Sequence, residues 1–177
     1  FVIIPRARIS AIRINEIFDI EATVNDPEKP ETAKEGMEGT VEFRNVTFAY
    51  ENAGAPVLSD VSFTAEKGKV TAIIGGTGSG KSSLVGMIPR FFDVTDGAVL
   101  VDGTDVRDYT QQELRSKIGY VPQKACLFSG SIEDNLRFGD EHATEEQMRK
   151  ALEISCSSEF VDKLSDGMQS FISQNAN

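Results

Sequence analysis

Gly75-Gly76-Thr77-Gly78-Ser79-Gly80-Lys81-Ser82 matches the pattern G-x-x-x-x-G-K-[ST], and the fold assignment turns on it. Glycines at these positions let successive backbone N–H groups turn inward around phosphate oxygens. The lysine adds a cation, and the serine hydroxyl offers an oxygen to a metal. The flanks support the match. Val70-Thr71-Ala72-Ile73-Ile74 is a short apolar, β-branched run that predicts a buried parallel strand. Ser82 to Ile88 continues as a helix, with Leu84, Met87 and Ile88 at i, i+3 and i+4, and Pro89 ends it. Strand, loop and helix start converge where the helix dipole and unpaired amides favour an anion.

Composition sets the wider frame. A chain of 177 residues, 40% hydrophobic and 26% charged, can bury the core of one ordinary domain. Its net charge of -10 argues against a nucleic-acid partner but leaves room for a local phosphate site. Cys126 and Cys156 form no C-x-x-C motif and read as reduced thiols. No run approaches the apolar length of a membrane span, and Phe1-Val2-Ile3-Ile4 is too short for a signal core. The chain does not begin with methionine, so a fragment of a longer protein is expected.

Ile9, Ile12, Glu16, Ile17 and Ile20 recur at helical spacing in a locally basic end, and Asn25 to Gly39 has the Pro, Gly and charge content of a linker. Thr40 to Tyr50 reads as a strand whose apolar parity changes from Val41 and Phe43 to Val46, Phe48 and Tyr50. That change predicts a bulge near Asn45. Val57 to Thr64 resumes strand character, giving a small antiparallel sheet ahead of the loop. Ala98 to Val101 is a strand closed by an Asp102-Gly103 turn, and Lys117 to Val121 is another apolar strand. Thr110 with Glu113 and Thr144 with Gln147 read as capping boxes opening two helices, Ser131 caps a short segment through Arg137, and Ser157 to Leu164 is one more short helix.

Tyr50 at a strand end either packs or stacks a base. Gln123, after Pro122, is uncharged and a poor general base; it is a loop glutamine or a ligand for a metal or its water. His142 lies among acidic residues and reads as solvated surface.

VTFAY ending at Tyr50, GGTGSGKS from Gly75, YVPQ ending at Gln123 and LFSGSIEDNLRFG from Leu127 to Gly139, in this order, resemble the nucleotide-binding domain of an ATP-binding cassette transporter of the exporter type. FVIIPRARISAIRINEIFDIE resembles the cytoplasmic end of that family's last transmembrane helix and its linker. The resemblance implies an α/β P-loop NTPase core with an antiparallel β subdomain. It divides the chain into a helix end over 1–24, a linker over 25–39 and a partial nucleotide-binding domain over 40–177.

The resemblance also implies that Tyr50 stacks on adenine and that Gly75, Gly76, Thr77, Gly78, Ser79, Gly80, Lys81, Ser82 and Ser83 form the ATP site. Lys81 pairs with the β and γ phosphates, Ser82 ligates Mg²⁺, and Gln123 meets Mg²⁺ or its water and transmits occupancy to a membrane domain. By the same resemblance, Cys126 to Asn135 would be the surface that transmembrane coupling helices press against. The expected partners are a second nucleotide-binding domain, in a homodimer or heterodimer, and those coupling helices. The expected place is the cytoplasmic face of the cell membrane.

An LSGGQ-like signature, a Walker B strand with its catalytic glutamate and a switch histidine do not occur in this sequence. The resemblance implies a parent protein that hydrolyses ATP, while the fragment alone, without these motifs, is expected to be inactive and, with strand neighbours missing, prone to aggregate. Near the end, Gln174 stands where exporters often carry a glutamate. Two other readings of the cradle remain: a non-catalytic nucleotide-binding module, and a P-loop kinase or GTPase, although no N-K-x-D is visible.

Overall fold

The structure, a computed structural model, describes residues 3–20, 22–51, 53–124 and 126–173. The chain divides into two compact units, Phe1–Tyr120 and Val121–Asn177. The first holds α1 (Ile3–Phe18), β1 (Val41–Phe48), β2 (Leu58–Ala65), α2 (Lys81–Met87), β3 (Asp96–Val101), β4 (Thr104–Asp105) and α3 (Gln111–Ser116). Its sheet has the order β2-β1-β3-β4 with every neighbour antiparallel.

The parity change in β1 is a bulge, as expected. Asn45 takes a φ of 48°, and the register against β2 shifts between Phe43 and Val46. One extra residue there brings Phe43, Val46 and Phe48 to the same buried side, where strict alternation would put Phe43 on the face opposite Val46 and Phe48. Gly97 on β3 makes room for it. Its φ is +83°, and a Cβ there would lie 2.7 Å from the Asn45 carbonyl carbon. The core beneath the sheet joins Phe43, Val46, Phe48, Val99 and Val101 to Leu84 and Met87 of α2 and Leu114 of α3, and Phe43 stacks on Phe63 at 4.7 Å. Burial of this apolar set, at about 25 cal/mol per Å² removed from water, is the main force holding the unit together.

Residues 22–39, a strap that contains the expected linker, are hydrogen-bonded along the β3–β4 hairpin. Glu31 N donates to Asp108 O at 2.7 Å, Lys34 N to Asp102 O at 2.9 Å, Gly39 N to Asp102 Oδ1 at 2.7 Å, and Thr104 Oγ1 to Thr32 O at 2.8 Å. Backbone groups beside the hairpin need partners, and an extended segment passing by supplies them. Earlier in the strap, Asp26 Oδ1 accepts from Gln111 N at 3.0 Å and Gln111 Nε2 at 3.1 Å, capping α3 from a distance. These two bonds hold the Asp26 carboxyl below its usual pKa of 3.8, the backbone bond counting most.

Two strand expectations are corrected. Residues 70–74 and 117–121 enter no ladder among the described residues, and Val70, Ile74 and Val121 are 98%, 93% and 92% exposed. A strand exists only through its hydrogen-bonded neighbours, and the sheet of this unit is completed by β1–β4 alone.

The second unit holds β5 (Gly130–Ser131), α4 (Ile132–Arg137), α5 (Glu145–Ile154), α6 (Ser158–Val161), a 3₁₀ turn over Gly167–Gln169 and β6 (Phe171–Ile172). Ser131 with Asp134 and Thr144 with Gln147 form reciprocal capping boxes at the starts of α4 and α5, whereas at α3 only half of the expected box forms, Thr110 Oγ1 accepting from Glu113 N at 3.2 Å. Ile132, Leu152 and Val161 make its core, with Leu136, Leu164, Met168 and Ile172 packed against them. The antiparallel β5–β6 pair escaped the sequence reading because two-residue strands carry no periodicity. The expectation for Gln174 falls outside the described residues.

Candidate functional site

α2 begins as the loop predicts. Gly80 precedes it at φ +85°, a conformation that side chains rarely adopt, and a Cβ there would come within 2.8 Å of Leu58 and 3.1 Å of the Val57 carbonyl oxygen. Only glycine lets the chain turn from the loop into the helix beside β2. The helix then buries Leu84 and Met87, stops before Pro89, and presents Lys81, Ser82 and Ser83 at its first turn.

The loop closes on itself through Lys81. Lys81 Nζ donates to Gly75 O at 2.8 Å, to Gly76 O at 2.5 Å and to Ser79 Oγ at 3.2 Å. Ser79 Oγ donates in turn to Gly76 O at 2.9 Å, while Thr77 lies exposed at the tip. A cavity of about 310 Å³ is lined by Tyr50, Val57, Gly78, Ser79, Gly80, Lys81, Ser82 and Ser83.

Tyr50 reaches this cavity from the end of β1. Its hydroxyl shares a 2.7 Å hydrogen bond with Ser83 Oγ, and Ser83 is buried. The ring meets Phe48 edge-on at 4.8 Å and Phe92 edge-on at 5.3 Å, and it remains 42% exposed. Tyr50, Phe48, Phe92 and Asp93 also line a second cavity of about 340 Å³, together with Thr23 and Val24 of the strap.

The tertiary structure thus gathers Tyr50 with Gly78, Ser79, Gly80, Lys81, Ser82 and Ser83, and ties Gly75 and Gly76 to them through the Lys81 ammonium. Gln123 belongs to the second unit, where it lies exposed in the bend after Pro122. Val57, Phe92 and the Tyr50–Ser83 bond were missed by sequence reading. The adjacent aromatics Phe91 and Phe92, directly after a helix that carries a phosphate loop, were the available signal. His142 is exposed, its backbone N–H donating to Asp140 Oδ1 at 3.0 Å, and both cysteines are free and exposed.

The donor set fits a magnesium nucleotide. The cavity offers one ammonium, hydroxyls and a glycine loop, a set suited to phosphate oxygens. Among the described residues no group of three His, Cys, Asp or Glu side chains could hold a metal by itself. A hard cation here would take oxygen from Ser82 and complete its shell with phosphate and water.

A family model described as ABC transporter matches residues 58–173. An uncharacterised ABC transporter ATP-binding protein of Mycobacterium bovis is 46% identical over 175 residues, covering 97% of this chain and 30% of that protein. A probable multidrug resistance ABC transporter ATP-binding/permease protein of Bacillus subtilis is 44% identical over 162 residues, covering 92% of this chain and 24% of that protein. An ATP-dependent lipid A-core flippase of Xanthomonas oryzae pv. oryzae is 39% identical over 170 residues, covering 96% and 28%.

The solved structure of a bacterial Atm1-family ABC exporter with ATP bound superposes with a TM-score of 0.86 at 29% identity, covering 97% of this chain and 30% of that one. The chain therefore spans about 30% of the length of the first of these relatives. With its glycine loop and aromatic-lined cavity in the ABC ATPase fold, the chain belongs to the ABC transporter family, within the ATP-binding domain of its exporter-type members.

Proposed function

We propose that this chain binds ATP with Mg²⁺ and, within a longer exporter subunit, couples that nucleotide's binding and hydrolysis to transport across the cell membrane from its cytoplasmic face. The observation that carries the reading is the single cavity shared by Tyr50 and the loop from Gly78 to Ser83. In it, Lys81 exchanges its carbonyl partners at Gly75 and Gly76 for phosphate oxygens, and the loop glycines turn backbone amides toward the same anion. The Tyr50 ring face takes the adenine, and the Ser82 hydroxyl holds the cation. Magnesium, when bound, would supply positive charge against the phosphates.

In this reading Gln123 is a ligand for the cation or its water and the residue that reports occupancy to a membrane domain. Residues 1–24 form the cytoplasmic end of a transmembrane helix, 25–39 a linker and 40–177 a partial nucleotide-binding domain. Among the described residues no helix is long and apolar enough to cross a membrane. The partners are a second nucleotide-binding domain and coupling helices that meet Cys126 to Asn135.

Because no residue in the chain is assigned as general base, the chain alone binds ATP without turning it over. Calorimetry of the full chain with ATP and Mg²⁺, paired with a phosphate-release assay, tests this. Saturable binding that weakens in Lys81→Ala, with no release above background, is expected. Absence of binding overturns the nucleotide reading, and Lys81-dependent release overturns the inactivity.

A further inference from the structure

The Tyr50 ring is braced by Ser83 of α2 and by Phe92 in the segment that follows that helix. Tyr50 lies beyond the ladder of β1, at the start of a turn in which Ala53 N donates to Tyr50 O at 3.0 Å. Backbone pairing therefore does little to aim the ring. Its direction comes from the hydroxyl bond to Ser83, in the first turn of α2, and from edge contacts with Phe48 and Phe92.

Phe92 is itself fixed. It follows α2 through the turn Pro89-Arg90-Phe91, in which Arg90 has a φ of 54° and is only 5% exposed. The Arg90 guanidinium grips Asp93, the residue after Phe92, with bonds of 2.8 and 3.1 Å. Arg115 of α3 clamps the same turn, Nε donating to Pro89 O at 3.0 Å and Nη2 to Arg90 O at 3.2 Å, with its guanidinium 5.6 Å from the centre of the Phe91 ring. The helix that presents Lys81 and the turn that follows it thus each brace the aromatic ring at the base end of the cavity.

We propose that Phe92 is a positioning residue for nucleotide binding: its edge contact holds the Tyr50 ring at the tilt that receives the base, at a distance from the phosphate loop set by α2. This rests on the reading of Tyr50 as the base platform. Stacking depends on ring orientation, and a Tyr50 ring released from Phe92 samples other tilts that must be given up on binding. A phosphate chain without a base makes no use of that orientation, so Phe92 acts on the nucleoside part of the ligand alone.

The test is calorimetry on the full chain with Mg²⁺ and two probes, ATP and inorganic tripolyphosphate, for the native sequence, Phe92→Leu, Phe92→Tyr, Tyr50→Ala and the double variant Tyr50→Ala/Phe92→Leu. Phe92→Leu is expected to weaken ATP about three- to tenfold, the scale of an aromatic pair, and to leave tripolyphosphate unchanged. Phe92→Tyr, which keeps the ring, restores ATP affinity and serves as the folded control. In the Tyr50→Ala background, Phe92→Leu is expected to cost nothing further. Equal weakening of both probes, or full additivity in the double variant, overturns the positioning role while leaving the base platform standing. Unchanged ATP affinity in Tyr50→Ala overturns the platform itself and this inference with it.

Discussion

Lys81 Nζ lies 2.8 Å from the carbonyl oxygen of Gly75, so the cation of the phosphate loop is held by the loop's own backbone. These are bonds that an anionic ligand can replace one for one. Lys81→Ala should therefore leave thermal stability within about 1 kcal/mol and weaken ATP about ten- to hundredfold, the range for hydrogen bonds to a charged group. Paired melting and calorimetry check this. A collapse of the melt would make Lys81 a structural residue.

Gly97→Ala should destabilise the first unit by about 2–4 kcal/mol, because the new Cβ combines a positive φ with contact against the backbone at Arg44 and Asn45. Neither backbone segment can move without undoing the bulge that buries Val46 and Phe48. Urea unfolding followed by far-UV circular dichroism measures the loss.

Asp93→Ala removes the carboxylate from a guanidinium whose side chain is 6% exposed, leaving Arg90 with a 3.4 Å contact from Nη1 to Arg107 O. Complete burial of both partners would make such a break cost several kcal/mol. The Asp93 side chain is 30% exposed, so about 1–3 kcal/mol is expected. The same urea series tests it, with Arg90→Met/Asp93→Ala expected to recover part of the loss.

Asp26 and Asp134 should each release a helix start in acid. Hydrogen bonds from Gln111 lower the first carboxyl, and bonds from Ser131 lower the second, both below an ordinary value of 3.8. A carboxyl whose folded pKa is depressed stabilises fully above its unfolded value, and that contribution is lost as pH falls through the folded value. NMR titration of the Gln111 and Ser131 amides should show both transitions below pH 3.8. Asp26→Asn should abolish only the one at Gln111, since the two caps lie in different units.

Val70 and Ile74 are exposed, so replacing both by threonine should leave the melting curve in place and reduce concentration-dependent association. Light scattering across a concentration series, beside a melt, reads both. A large fall in melting temperature would mean that these side chains are packed in solution.

What the sequence determined by itself is local. The glycine loop, the Asn45 bulge, the Asp102-Gly103 turn and the helix caps at Thr110, Ser131 and Thr144 each depend on residues within a few positions of one another, whose dihedral preferences and short hydrogen bonds act without the rest of the chain. Lys81 and its loop were legible for that reason. The motif likeness extended this to the family, which the comparisons bear out.

Only the tertiary structure could decide which distant segments meet. It ties the strap to the β3–β4 hairpin, joins Gly130 and Ser131 to Phe171 and Ile172, sets the Tyr50 hydroxyl on Ser83 and its ring against Phe92, and leaves 70–74 outside any ladder despite an apolar β-branched run. Ladder bonds and ring contacts belong to pairs of segments far apart in the chain. Their formation depends on burial and competing partners across the fold, which the pattern of either segment alone does not contain.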